Sequence, residues 1–180
     1  MKTKSSPKII AIASVSGGGK TTAAANVTDQ LPNAKALYFD DYDFQGPDDL
    51  LQWLHRGTDY NEWNLEPMLK DIRKLLAEPL DFIVLDFPFA RLHHDSSPYM
   101  DFTIFIDTPL DIALSRRIAR DFAGSSGTEI ISDIEFYAKE GRAAYLQMLA
   151  DIKPNSDFMV DGSGSKEDVT LAILRQLSNR

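Results

Sequence analysis

Residues Ile9-Ile10-Ala11-Ile12-Ala13-Ser14-Val15-Ser16-Gly17-Gly18-Gly19-Lys20-Thr21-Thr22 decide how the rest of the chain is read. The apolar, β-branched run at the start of this stretch predicts a buried strand. Three consecutive glycines break the run, and Lys20-Thr21-Thr22 opens a helix-prone segment. Strand, glycine loop and helix in that order are the context of a phosphate-binding P-loop. Glycines let successive backbone N–H groups turn onto phosphate oxygens with no Cβ in the way. The helix adds unpaired N–H groups and the positive end of its dipole. Ser16, Gly17, Gly18, Gly19, Lys20, Thr21 and Thr22 are therefore the expected nucleotide-binding residues. Lys20 would reach the β- and γ-phosphates, and the Thr21 hydroxyl would ligate Mg²⁺. The full pattern G-x-x-x-x-G-K-[ST] puts its first glycine at Ser14, where this chain departs from it, while Gly19, Lys20 and Thr21 match.

The chain has 180 residues, 43% of them hydrophobic, which suits one domain over 1–180 with a sizeable core. Its net charge is −8 and no basic stripe is visible, so a nucleic-acid partner is not expected. Without cysteine it has neither a disulfide framework nor a thiolate metal site. Met1-Lys2-Thr3-Lys4 with an apolar run soon after superficially resembles a signal peptide. That run is short, passes straight into the glycine loop and has no cleavage-site pattern. No run approaches membrane-spanning length, so no membrane partner is expected and the cytoplasm is the expected location.

Lys35–Phe39 reads as a second strand, reached through a helix from residue 20 to about 31 and a turn at Pro32-Asn33. It ends in Asp40-Asp41-Tyr42-Asp43-Phe44. In open α/β sheets ligands bind beyond the carboxyl ends of the strands, so these acids fall on the rim that carries the glycine loop. A carboxylate there could take a proton from an acceptor hydroxyl or hold Mg²⁺ through water, and a solvated acidic loop is the plain alternative. Residues 48–55 predict a short helix, 56–63 a loop, and Leu65, Met68, Leu69, Ile72, Leu75 and Leu76 the inner face of an amphipathic helix. Tyr42, Phe44, Trp53, Tyr60 and Trp63 could stack a flat ligand, although each taken singly reads as core packing.

A third strand, Asp81–Asp86, also ends in a carboxylate, as a Walker-B acid that helps hold Mg²⁺ would. Arg91 falls in a polar loop with His93-His94, which offers no third ligand at diagnostic metal spacing. A fourth strand, Phe102–Asp107, leads through Thr108-Pro109 into a helix on which Arg116 and Arg120 share a face at i, i+4, with Arg117 beside them. Arginines turned toward the phosphate rim could clamp a transferring phosphoryl group. Residues 123–128 read as a small mobile loop, a lid or hinge. Ile134, Tyr137, Ala138, Gly141, Tyr145, Met148 and Leu149 predict a long helix. A fifth strand at Asp157–Asp161 and a last helix with Val169, Ala172, Ile173 and Leu177 inward complete the chain. Strands alternating with helices predict a P-loop NTPase-type α/β fold, a five-stranded parallel sheet with helices on both faces in three layers.

The Ser-Gly-Gly-Gly-Lys-Thr-Thr loop, the second strand ending in Asp before an aromatic, and the run Arg116-Arg117-Ile118-Ala119-Arg120-Asp121 together resemble the uridine kinase, phosphoribulokinase and nicotinamide riboside kinase group. The resemblance implies a kinase that moves the γ-phosphate of Mg·ATP to a hydroxyl of a nucleoside-like acceptor. It implies Asp40 as catalytic base, with Asp41 as the alternative, and Lys20, Arg116 and Arg120 as catalytic groups. Arg117 joins the nucleotide site, and a short lid covers about 116–128. The acceptor region, about 41–65, would supply Asp41, Tyr42 and Trp63, with Arg91 added from the later loop. Thr21 and Asp86 would hold the metal, and the loop after the fifth strand would meet the adenine. Two departures stand out. Tyr42-Asp43 replaces a frequent aromatic pair, and Asp86-Phe87 replaces a common glutamate and glycine. The alternative from another class is an ATP-binding switch or an ATPase without a small acceptor. A guanine-reading Asn-Lys-x-Asp motif is absent, and the oligomeric state stays open.

Overall fold

The computed structural model describes residues 6–178, and the basic start Met1–Lys4 lies outside the described residues. β1 (Lys8–Ala13) is the central strand of an all-parallel sheet of order β2-β3-β1-β4-β5. The other strands are β2 (Ala34–Tyr38), β3 (Phe82–Asp86), β4 (Phe102–Asp107) and β5 (Phe158–Asp161). A strand paired on both edges and covered on both faces must be apolar throughout, which is why Ile9 to Ala13 read as an unbroken hydrophobic run.

Side chains alternate across the sheet. Ile9, Ala11 and Ala13 of β1 face a cluster with Ile83, Leu85 and Phe105. α3 (Glu66–Leu76) covers that side with Met68, Leu69, Ile72 and Leu75, and α4 (Leu110–Asp121) adds Ala113. Ile10 and Ile12 face the other side with Val84, Ile104 and Ile106, beneath Ala23, Ala24 and Val27 of α1 (Lys20–Gln30) and Val169 and Ile173 of α7 (Lys166–Ser178). These are the three layers expected, and the inward faces of the amphipathic and last helices fall where the periodicity placed them. The turn at Asn33 adopts φ 45°, a left-handed conformation that asparagine tolerates.

The C-terminal third differs in detail from the sequence expectation. The loop expected over 123–128 is shorter, because α5 (Gly127–Phe136) starts inside it. Ser126 caps α5 by accepting from the Glu129 N–H, and the Glu129 carboxylate accepts from the Ser126 N–H, so two orphan donors are satisfied. α5 does not run on as a plain α-helix. Tyr137–Gly141 forms a π-helical turn before α6 (Arg142–Asp151). The wider turn shifts the phase of the inward stripe, so Ile134 and Ala138 face solvent while Tyr137, Tyr145 and Met148 pack inward.

Arg91 belongs to the far edge of the sheet. Its guanidinium donates to the Met100 and Asp101 carbonyls and pairs with Asp157 at 2.7 Å, at the N-terminal ends of β4 and β5. Asp157 also accepts from the N–H and hydroxyl of Thr103. Burial pushes the Asp157 carboxyl up, but the Arg91 and Thr103 hydrogen bonds outweigh it and hold its pKa below 3.8. A lowered folded pKa contributes stability above the unfolded value, and that stability is lost as pH falls through the folded one. Asp157→Asn is therefore expected to lower the urea midpoint at pH 7. The gap from wild type should close as pH drops below 3.8, measured by fluorescence-monitored unfolding across pH.

Candidate active site

The glycine loop bridges β1 and α1 at the carboxyl edge of the sheet. Gly19 caps α1 in a left-handed conformation, φ 101°, and no side chain caps the helix N-terminus. Its first N–H groups therefore stay available to an anion. Gly17, at φ 76°, lies so close to α4 that an added Cβ would sit 2.0 Å from the Ala113 carbonyl oxygen. The loop is seated on the helix whose next turn carries Arg116 and Arg117.

Ser14, which takes the place of the pattern's first glycine, is buried, and its hydroxyl donates to the Ile106 carbonyl at 2.9 Å. Its backbone is not in the left-handed region, so the entry turn does not need glycine at that position. The space is recovered at Gly18, where a Cβ would fall 1.8 Å from the Ser14 Oγ. Thr108 completes the support by donating to the Gly18 carbonyl at 2.8 Å. Neither the Ser14–Gly18 contact nor Thr108 was legible as site support, because both are contacts between distant or looped backbone segments.

Asp86, at the tip of β3, is fully buried below the loop. The Thr21 hydroxyl donates to its Oδ2 at 2.6 Å, and the Lys20 ammonium lies 2.9 Å from its Oδ1. That Oδ1 takes no aligned hydrogen bond. A buried carboxylate requires a cation and full hydrogen bonding, and here one oxygen has only the charge. Hydroxyl and carboxylate side by side, one oxygen still unsatisfied, fit a hard divalent cation. Mg²⁺ takes few protein ligands and completes its shell with water and phosphate oxygens. Among the described residues no group of three or more acidic or histidine side chains forms a self-sufficient metal cage.

Asp40 stands on the opposite wall, in a 3₁₀ turn (Phe39–Asp41) that directly follows β2. Its carboxylate is 3.8 Å from the Lys20 ammonium and is 79% exposed. A cavity of about 430 Å³ joins the glycine loop, Lys20, Thr21, Phe39, Asp40, Pro88, Arg116, Arg120 and Met148. A second, of about 260 Å³, lies across Arg116 and is lined by Gly19, Thr22, Ala23 and the turn Gly164–Lys166. Arg116 donates to the carbonyls of Gly162 and Gly164, so it ties the turn after β5 to α4 between the two cavities. Arg120 pairs with Asp121, whose hydrogen bond is the main cause of its raised pKa, and its position in the cavity wall is unaffected.

Other expected residues stand elsewhere. Arg117 points to α5, where it makes a bidentate pair with Asp133 and lies outside both cavity walls. Asp41 is exposed beside Asp40. Tyr42 donates to Asp71 at 3.1 Å, and its phenol, raised to about 12 by burial and then by that bond, remains protonated. Trp63 packs within an aromatic group that includes Phe39, Trp53 and Phe89, and its indole N–H has no hydrogen-bond partner. Arg91 is on the far edge of the sheet. His93 is buried with Nε2 at 2.9 Å from the Trp63 carbonyl, while His94 is exposed, so the two histidines share no ligand. Met148 and Pro88 line the cavity but carry no sequence signal of it.

No protein-family model matches the chain. It is 43% identical over 76 residues to a uridine kinase of Proteus mirabilis, a stretch covering 42% of this chain and 35% of that protein. With a uridine kinase of Pectobacterium atrosepticum it shares 38% over 86 residues, 48% of this chain and 38% of the other. The chain spans less than half the length of the curated relatives it matches. Among solved structures, a gluconokinase from Sinorhizobium meliloti aligns over 96% of this chain and 93% of its own, with TM-score 0.57 and 17% identity. A shikimate kinase from Aquifex aeolicus aligns over 95% and 96%, with TM-score 0.52 and 15% identity. The resemblance to uridine kinases read from the motifs is thus borne out over part of the chain, and the fold is that of P-loop kinases. No helix among the described residues is long and apolar enough to cross a membrane.

The Ser14–Gly18 contact makes a specific test. Gly18→Ala is expected to weaken binding of a non-hydrolysable ATP analogue by about tenfold, because overpacking here displaces the loop. Ser14→Gly combined with it should recover part of the loss. The recovery is partial because the new Cβ still meets the Val15 carbonyl at 2.8 Å. Isothermal titration of the single and double variants measures both effects.

Proposed function

We propose that the protein is a kinase that transfers the γ-phosphate of Mg·ATP to a hydroxyl of a small, nucleoside-like acceptor of the uridine, cytidine or nicotinamide riboside type. The observation that carries this reading is the meeting, around one cavity, of Lys20, Thr21, Asp40, Arg116 and Arg120, with Lys20 between Asp86 below and Asp40 across. A binding module needs the phosphate loop alone. An exposed carboxylate facing the phosphate-binding lysine is what proton removal from an incoming hydroxyl calls for.

In this reading the loop N–H groups and Lys20 hold the β- and γ-phosphates, and the nucleoside lies toward the second cavity beside Arg116. Thr21 and Asp86 would hold Mg²⁺, which would supply positive charge to offset that of the phosphates. Asp40 accepts the acceptor's proton as its oxygen bonds to the γ-phosphorus and the bond to ADP breaks. Lys20 and Arg120 stabilise charge on the equatorial oxygens. Phe39, with Tyr42 and Trp63 behind it, would form the apolar side of the acceptor pocket. The rim carries Asp40, Asp41 and Asp43 and no cation between Lys35 and His55, which disfavours an acceptor that is already phosphorylated. This reading includes a cytoplasmic location.

The test is ADP formation by the pure protein across a panel of nucleosides and vitamin ribosides. Turnover is expected only with an acceptor present. Asp40→Ala should lower kcat by about 10²- to 10⁴-fold while keeping affinity for the ATP analogue. Full turnover in Asp40→Ala would move the base to Asp41 or Asp43. ADP release at one rate with every acceptor and with none would favour the switch or ATPase.

A further inference from the structure

We infer that Asp151 is a positioning residue that ties the acceptor wall to α6 and so sets affinity for the acceptor. The inference rests on the kinase reading above. It starts from the segment after α2 (Leu50–His55), where two consecutive residues take left-handed conformations: Gly57 at φ 107° and Thr58 at φ 49°. Glycine does this freely, but a β-branched threonine does not. A conformation of this kind persists only where its surroundings impose it. Thr58 is buried, its N–H donates to the Trp53 carbonyl at 3.1 Å, and its hydroxyl donates to Oδ2 of Asp151 at 3.1 Å.

The same carboxylate oxygen accepts from the Tyr60 hydroxyl at 3.1 Å and from the Gln147 amide at 2.8 Å. Three donors thus converge on one oxygen of a side chain 93 residues away from Thr58 in sequence. Burial, then the nearby Asp151 charge, pushes the Tyr60 phenol up, so it is held as a donor at any working pH. Asp151 is the last residue of α6, where a negative charge opposes the helix dipole. Its place there serves the contact across to the loop.

What the contact holds together is the acceptor side of the cavity. The Tyr60 ring packs on Trp53 and on Phe89, each at 5.3 Å between centroids. Phe89 packs edge-on against Phe39 at 5.3 Å, and Phe39 lines the cavity beside Asp40. From the other direction, Met148 lies three residues before Asp151 on α6 and lines the same cavity. Asp151 therefore joins two walls that face each other across the acceptor space. The phosphate loop, built from β1 and α1, is not part of the link.

Steady-state kinetics with an acceptor found in the panel decides the matter. Asp151→Ala is expected to raise the acceptor KM about tenfold and leave the KM for ATP unchanged. Asp151→Asn should restore it, because an amide oxygen can accept the same bonds. Thr58→Gly separates positioning from stability: relief of the strain at φ 49° offsets the lost hydrogen bond, so the melting temperature should change little while the acceptor KM still increases. A wild-type acceptor KM in Asp151→Ala would overturn the inference. So would a rise in both KM values, with lower melting temperatures, in Asp151→Ala and Thr58→Gly alike. A wild-type protein inactive across the panel would defeat the kinase reading, and this inference with it.

Discussion

A carboxylate with no access to solvent is the constraint on which the rest of the site depends. Asp86 sits at 0% exposure at the tip of β3, and a carboxyl group so placed must be partnered by what surrounds it. Lys20 and Thr21 do so from the first turn of α1, which draws the start of that helix down onto β3. The glycine loop then has to span the short distance from β1 to a helix start that is already located. Its left-handed turns at Gly17 and Gly19, and its close approach to Ala113, follow from that geometry. The sheet register places Ile12 beside Asp86, so loop and acid emerge from adjacent strands at the same level.

Around this charged centre the chain arranges two kinds of wall. One is polar and formed by helix and turn: Arg116 joins the turn after β5 and Arg120, paired with Asp121, lines the same cavity, while Arg117 turns away from it to join α5 through Asp133. The other is aromatic, with Phe39, Phe87, Phe89, Tyr60, Trp53 and Trp63 in mutual contact. Aromatic rings bury large areas with few rotatable bonds, which makes such a wall stiff as well as apolar. Three arginines of one short motif thus have three separate tasks. Their sequence spacing puts them on neighbouring helix faces, but only packing decides which acid or carbonyl each one meets.

What could be read from the sequence was what local chemistry determines. A buried run breaking into three glycines and Lys-Thr allows few structures, and the strand-end acids and the helical stripes at 65–76 and 169–177 follow from period alone. Arg91 shows the limit. As a cation in a polar loop after a strand carrying a site acid, it reads like a ligand contact, yet the loop carries it back to the opposite edge of the sheet to hold Asp157. The start of α5 was missed because Gly127 looks like a hinge residue, whereas the capping exchange between Ser126 and Glu129 makes it the first residue of a helix. Asp151 had no local signature at all. Its meaning comes from partners on a distant loop.

The π-helical turn at Tyr137–Gly141 is equivalent to one residue inserted into an α-helix. Each residue of an α-helix advances the chain by about 100°. An extra residue in a stretch that stayed α-helical would rotate everything beyond it by that angle, whereas the wide turn absorbs it within one revolution and leaves the two flanking segments in phase. Met148 thereby keeps its place in the cavity wall and Asp151 its hold on Thr58 and Tyr60. A relative one residue shorter here would present the same faces from an unbroken α-helix, and an alignment that places a single gap within 137–141 keeps the second half of the arm in register.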